Sequence, residues 1–160
     1  MRPVMRCARA ARRGAGRGNW PRELAARRPF PSASALIDAG TSLLDGMTDA
    51  ELVEVISRHD PIGIDPGEDR LTGRWSRQEQ SGVLDGDAAV RAEFAELNRR
   101  YRERFGYVYL VCAAGRSAAG IRDDLVRRLR QDEEGELRTA RAELRGIVEL
   151  RLGRILEAVR

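Results

Sequence analysis

The stretch from Asp87 to Gly106 constrains the fold more than any other part of the chain. Val90, Phe94, Leu97, Tyr101 and Phe105 recur at spacings of 4, 3, 4 and 4, with polar residues between them. That is the apolar stripe of an α-helix, which advances 100° per residue and returns to one face at these intervals. Asp87 stands where an N-cap belongs, and Gly106 where a left-handed cap would close the last turn. Only one run is rich in β-formers, residues 107–112, and no second run of that kind exists to pair with it. An unpaired strand is not a stable element. We therefore expect an all-α fold with residues 107–112 as a short extended connector through the core.

Other helices follow from caps and breakers. A short helix through residues 21–28 ends before Pro29 and Pro31, because a residue ahead of proline is pushed out of the helical region. Ser34 is expected to cap a helix reaching about Leu44. Thr48 and Glu51 form a capping box, each side chain serving the other's backbone amide. The helix they open stops near Arg58, and His59, Asp60, Pro61, Ile62 and Gly63 are the stop. Residues 64–74 read as a polar loop, residues 76–83 as a short helix. Ser117 caps a helix to about Arg130, and Asp132 starts a last one that runs to the end.

At 160 residues the chain suits one hydrophobic centre. Residues 1–18 hold arginine and glycine without a sustained period and read as a flexible tail, leaving 19–160 as the domain. Residues 1–28 carry 9 arginines against Glu23, a charge of +8, so the remaining residues carry 4 − 8 = −4. The basic character thus belongs to an arm and not to a folded nucleic-acid face. All 29 basic residues are arginine, a pattern that points to genome composition before guanidinium chemistry. The longest apolar run, residues 108–114, falls well short of the roughly 20 residues that cross a bilayer. Cys7 and Cys112 have no companions at metal-ligand or disulfide-framework spacing. No secretory or peroxisomal signal is read at either end. These features lead us to expect a cytosolic protein with no metal, no membrane and no nucleic-acid partner.

Three side chains stand out for chemistry, and each has a plainer reading. On the last helix Leu137, Leu144, Ile147, Val148 and Ile155 share a face, and Arg151 lies in the middle of it. A guanidinium buried there needs a carboxylate, carbonyls or an anionic ligand, although long side chains also snorkel to solvent. His59, the only histidine, sits at a helix end before a Pro and Gly loop, where it caps, meets solvent or faces a cavity. Ser76 and Glu79 have capping-box spacing, which gives Glu79 a structural task, and Gln80 adds a second polar group. Gly115, Arg116 and Ser117 fit neither a Walker nor a dinucleotide-binding pattern.

Taken in order, several groups of residues are similar to one family. They are Arg28, Pro29 and Phe30 after a Trp-led helix; His59 with Pro61, Ile62 and Gly63; and the run from Trp75 to Gln80. They continue with Leu97, Asn98 and Tyr101; Arg104, Phe105 and Gly106; Gly115, Arg116 and Ser117; and Leu150, Arg151 and Leu152. From Trp20 onward the chain resembles the 2-oxo-4-hydroxy-4-carboxy-5-ureidoimidazoline decarboxylases, which finish the conversion of urate to allantoin. The resemblance implies an all-α bundle of about eight helices, a homodimer, and cofactor-free loss of CO2 from an anionic ureidoimidazoline to give (S)-allantoin. It implies His59 and Glu79 as the catalytic pair, Ser76, Gln80 and Arg151 as substrate-binding side chains, and Pro61, Leu110 and Cys112 at the substrate. The chain departs from the family pattern at Asp60, inserted between His59 and Pro61, at Val108 and Ala114 in the connector, and in the N-terminal tail. These departures motivate one rival, a drifted relative with a structural role; the basic arm motivates another, a binding module.

Overall fold

The computed structural model describes residues 20–64 and 77–158. Seven helices lie among them: α1 (Trp20–Ala25), α2 (Ala33–Asp45), α3 (Asp49–Ile56), α4 (Ser81–Leu84), α5 (Ala88–Phe105), α6 (Ala118–Arg128) and α7 (Glu133–Ala158). Residues 77–79 are also helical, which makes eight helical segments, and no strand occurs among the described residues. The all-α expectation holds. The tail expected at residues 1–18 and most of the expected loop at residues 64–74 lie outside the described residues.

Most of the caps fall where the sequence puts them. Thr48 and Glu51 exchange their bonds as a capping box, at 2.8 and 3.3 Å. Asp87 accepts from the Val90 N–H at 2.9 Å, and Gly106 closes α5 with a φ of 79°. Ser117 accepts from Gly120 at 3.1 Å, and Asp132 from Gly135 at 2.6 Å. Glu133, Glu134 and Glu136 in the first turn of α7 favour the positive end of its dipole. One cap differs. Ser32, not Ser34, caps α2, accepting from the Ala35 N–H at 3.1 Å, while the Ser34 hydroxyl lies 2.9 Å from that of Ser32. Either serine suits an N-cap, and the chain settles on the one two residues earlier. The first helix is also shorter than expected, ending at Ala25 ahead of a turn and a cis Arg28–Pro29 bond.

The chain divides into two compact units. Unit 1 comprises residues Met1–Val55 and Arg145–Arg160. Its core is Leu24, Leu43 and Leu152, with Trp20, Phe30, Leu36, Ile37, Ala39 and Val148 packed against it. The Trp20 indole N–H donates to the Gly40 carbonyl at 3.1 Å, tying α1 to α2.

Unit 2 comprises Ile56–Leu144. The α5 stripe buries Phe94, Leu97 and Tyr101, and α6 buries Ile121 and Leu125. The connector forms neither helix nor ladder, and all five residues from Tyr107 to Val111 are buried. Tyr101 gathers an aromatic cluster around itself, with ring centroids 4.8 Å from Phe105, 5.9 Å from Tyr107 and 5.4 Å from Tyr109. Such edge-on and tilted contacts add to simple area burial.

Candidate active site

The site is built from unit 2, beginning with the loop that follows α3. The His59 N–H donates to the Ile56 carbonyl at 3.0 Å as the helix ends, leaving the half-buried His59 at the mouth of the loop. Pro61 then turns the chain, its carbonyl accepting from Ile64 at 3.2 Å. Gly63 takes a φ of 84°, a conformation that strongly favours glycine. Its N–H donates to Gln80 Oε1 at 3.0 Å, and the Ile62 carbonyl accepts from Asn98 Nδ2 at 2.8 Å. Two side chains on neighbouring elements therefore pin two successive residues of the loop. Gln80 is itself buried, so this bond also satisfies a carbonyl that would be costly to leave unpaired.

Glu79 precedes Gln80 and is half-buried. It lies close enough to Cys112 for its charge to act on the thiol. Burial first, then the Glu143 and Glu79 carboxylates, hold the Cys112 thiol above its ordinary pKa. Gly82 packs against the backbone of Arg116 and Ala118, which sets α4 along the end of the connector. The structure thus brings together the loop carrying His59 and Pro61, the segment carrying Glu79 and Gln80, and the connector carrying Leu110 and Cys112.

The connector's backbone is held by side chains. Arg128 Nη1 donates to the Leu110 carbonyl at 2.9 Å, and the Cys112 N–H donates to Glu143 Oε2 at 2.8 Å. These two bonds anchor the connector's backbone on either side of Val111.

Arg128 was not among the residues the sequence reading singled out. It is fully buried, donating to both oxygens of the equally buried Glu136, with Nη2 to Oε1 at 2.5 Å. The Tyr101 hydroxyl donates to the same carboxylate, and the Arg128 guanidinium stacks 4.6 Å above the Tyr109 ring. The Tyr109 hydroxyl donates to Asp124 at 2.7 Å. Burial, with the neighbouring carboxylate in each case, pushes the Tyr101 and Tyr109 phenols well above their ordinary range. Burial and the Glu136 charge raise that of Tyr107 to about 12. Burial opposes the charge on Asp124, but its bonds to Tyr109 and Arg127 win and hold its carboxyl below the usual range.

The other expected residues stand as follows. Ser76 lies outside the described residues. Arg151, on α7, belongs to unit 1 and is half-buried with its Nε fully enclosed. Among the described residues the fully buried arginine is Arg128, and a signal for it exists. Ile121, Leu125 and Arg128 follow a 4, 3 spacing that puts a guanidinium on the apolar stripe of α6. Asn98, beside the apolar stripe of α5, carried a similar but weaker signal. Among the described residues no three His, Cys, Asp or Glu side chains gather so as to hold a metal ion.

An all-helical protein with a histidine loop, a carboxylate and an extended main-chain segment converging in one unit defines a class, and comparison with known proteins names the family. The family model for OHCU decarboxylase matches residues 7–153, and the chain belongs to that family. It is 33% identical over 134 residues to the 2-oxo-4-hydroxy-4-carboxy-5-ureidoimidazoline decarboxylase of Mus musculus, covering 82% of this chain and 75% of the mouse protein. To the protein of that name from Haloferax volcanii it is 29% identical over 135 residues, covering 83% of this chain and 79% of the relative. A crystal structure of OHCU decarboxylase in the presence of (S)-allantoin shares the fold, with a TM-score of 0.75 at 24% identity over 89% of this chain and 93% of that one.

Proposed function

We propose that this chain decarboxylates 2-oxo-4-hydroxy-4-carboxy-5-ureidoimidazoline to (S)-allantoin in urate breakdown. The observation that carries the reading is the gathering of the His59 loop, the Glu79 segment and the connector's main chain in unit 2, within a family match that spans residues 7–153. In the reaction the bond from the quaternary carbon to its carboxylate breaks, CO2 leaves, and the electron pair passes into the adjacent ring imine. The imine nitrogen takes up a proton, the hydroxyl on the decarboxylated carbon loses its own as that carbon becomes a carbonyl, and a proton adds to the neighbouring, ureido-bearing carbon that had been the imine carbon. The substrate supplies its own electron sink, so the protein's work is to hold the ring and carboxylate in line and to move a proton.

In this reading His59, oriented by Glu79, transfers the proton. Ser76, Gln80 and Arg151 bind polar groups of the substrate, with Arg151 matching a carboxylate by its planar pair of donors. Pro61, Leu110 and Cys112 shape the site. The working species is a homodimer of the cytosol. In keeping with this, no helix among the described residues is long and apolar enough to cross a membrane.

Circular dichroism of allantoin formed from freshly made substrate tests the proposal. The protein should yield one enantiomer faster than the uncatalysed reaction, which gives a racemate. His59→Ala and Glu79→Ala should each lower turnover by roughly 100-fold or more, the range of general acid–base catalysis. Racemic allantoin at the uncatalysed rate would instead mark a family member that has lost its activity.

A further inference from the structure

The connector lacks the neighbouring strand that would normally fix an extended segment, and two charged side chains take its place. Of the two, Arg128 is sealed into the core network. Glu143 is separable: its side chain keeps 13% exposure, and its second oxygen, Oε1, accepts from Arg116 Nη2 at 3.0 Å. Arg116 itself is 39% exposed. One carboxylate therefore bridges the Cys112 amide and a surface guanidinium, and it does so at the end of the connector beside Glu79.

We propose that Glu143 is a positioning residue of the active site, holding the Cys112 backbone in place while Arg116 fixes the rotamer of its carboxylate. This rests on the reading above, in which the connector faces the substrate. A charged acceptor makes a shorter and stronger bond to a backbone N–H than a neutral one. The bond acts on the Cys112 backbone, so losing it lets that part of the connector drift without removing a side chain assigned to the substrate. Shifts of about 1 Å in such a scaffold cost on the order of 100-fold in rate.

The test compares Glu143→Leu, which removes the acceptor, with Glu143→Gln, which keeps an oxygen for the Cys112 N–H. Steady-state kinetics on fresh substrate are measured beside hydrogen exchange of the Cys112 amide by NMR. Glu143→Leu should lower kcat by about 10- to 100-fold with KM changed by less than about threefold. The Cys112 amide should lose protection while the amides of α5 keep theirs. Glu143→Gln should return most of the kcat and most of the protection. Wild-type kcat in Glu143→Leu, unchanged Cys112 exchange, or a Gln variant no better than the Leu variant would each overturn the assignment. If Glu143→Leu does not fold, Glu143→Asp, one methylene shorter, takes its place and must show the same loss of kcat and of Cys112 protection. If the wild-type protein makes no allantoin, the enzymatic reading fails; the exchange data still decide whether Glu143 holds the connector.

Discussion

Arg128 and Glu136 set the energetics of unit 2 at the level of single residues. Both are withdrawn from water, and each is tolerable only because of the other: the guanidinium has its carboxylate, the Leu110 carbonyl and the Tyr109 ring, and the carboxylate also has the Tyr101 hydroxyl. Such a pair gains little net stability, because desolvation offsets attraction, but breaking it strands a buried charge. Arg128→Met should therefore cost about 3–5 kcal/mol in chemical denaturation. The double variant Arg128→Met with Glu136→Leu should recover a large part of that loss. A double variant no more stable than the single one would show that the cost comes from elsewhere, such as the lost hold on Leu110.

Helix α5 shows at the scale of an element what the sequence could and could not disclose. Its stripe, its Asp87 cap and its Gly106 terminus are local features, set by side chains within a few residues of one another, and all three appear in the structure as read. Gly106 offers a clean test, because a methyl group added there meets no atom within 4 Å. Gly106→Ala should then lose only the backbone cost of a positive φ, about 1–2 kcal/mol, seen as a lower denaturation midpoint with an unchanged slope. Long-range choices were less legible. The distinction between Ser32 and Ser34 as the cap of α2 depends on where the preceding turn ends, which local pattern does not specify. The roles of Asn98, Arg128 and Glu143 depend on partners 36, 18 and 31 positions away in the chain. For the candidate site, family resemblance is what names His59, Glu79 and Gln80. Spacing alone gave Glu79 a capping role and His59 no role in particular. The helical period marks a charged residue on an apolar face at both Arg151 and Arg128, and only the fold shows that Arg128 is the fully buried one.

For the whole molecule, charge is distributed unevenly: +8 in residues 1–28 against −4 in the rest. A net charge of −4 over residues 29–160 disfavours polyanions, so any affinity for nucleic acid is expected from residues 1–28 and should fall steeply with salt. Sedimentation at moderate ionic strength should give a mass of twice 17.9 kDa, and the value should not change when a short duplex DNA is added. A monomer would remove the homodimer from the proposal, and co-sedimentation with DNA would revive the arm as a binding module.

The connector that crosses unit 2 is anchored through its own carbonyl and amide, by Arg128 at Leu110 and by Glu143 at Cys112. Atoms shared by every amino acid make such an anchor independent of the side chain at the anchored position. Val108 and Ala114, where this chain departs from its relatives, fall in or beside that stretch. Substitutions in this stretch should be tolerated only where they keep its buried packing, whereas losing the carboxylate or guanidinium behind it releases the backbone whatever side chains it carries.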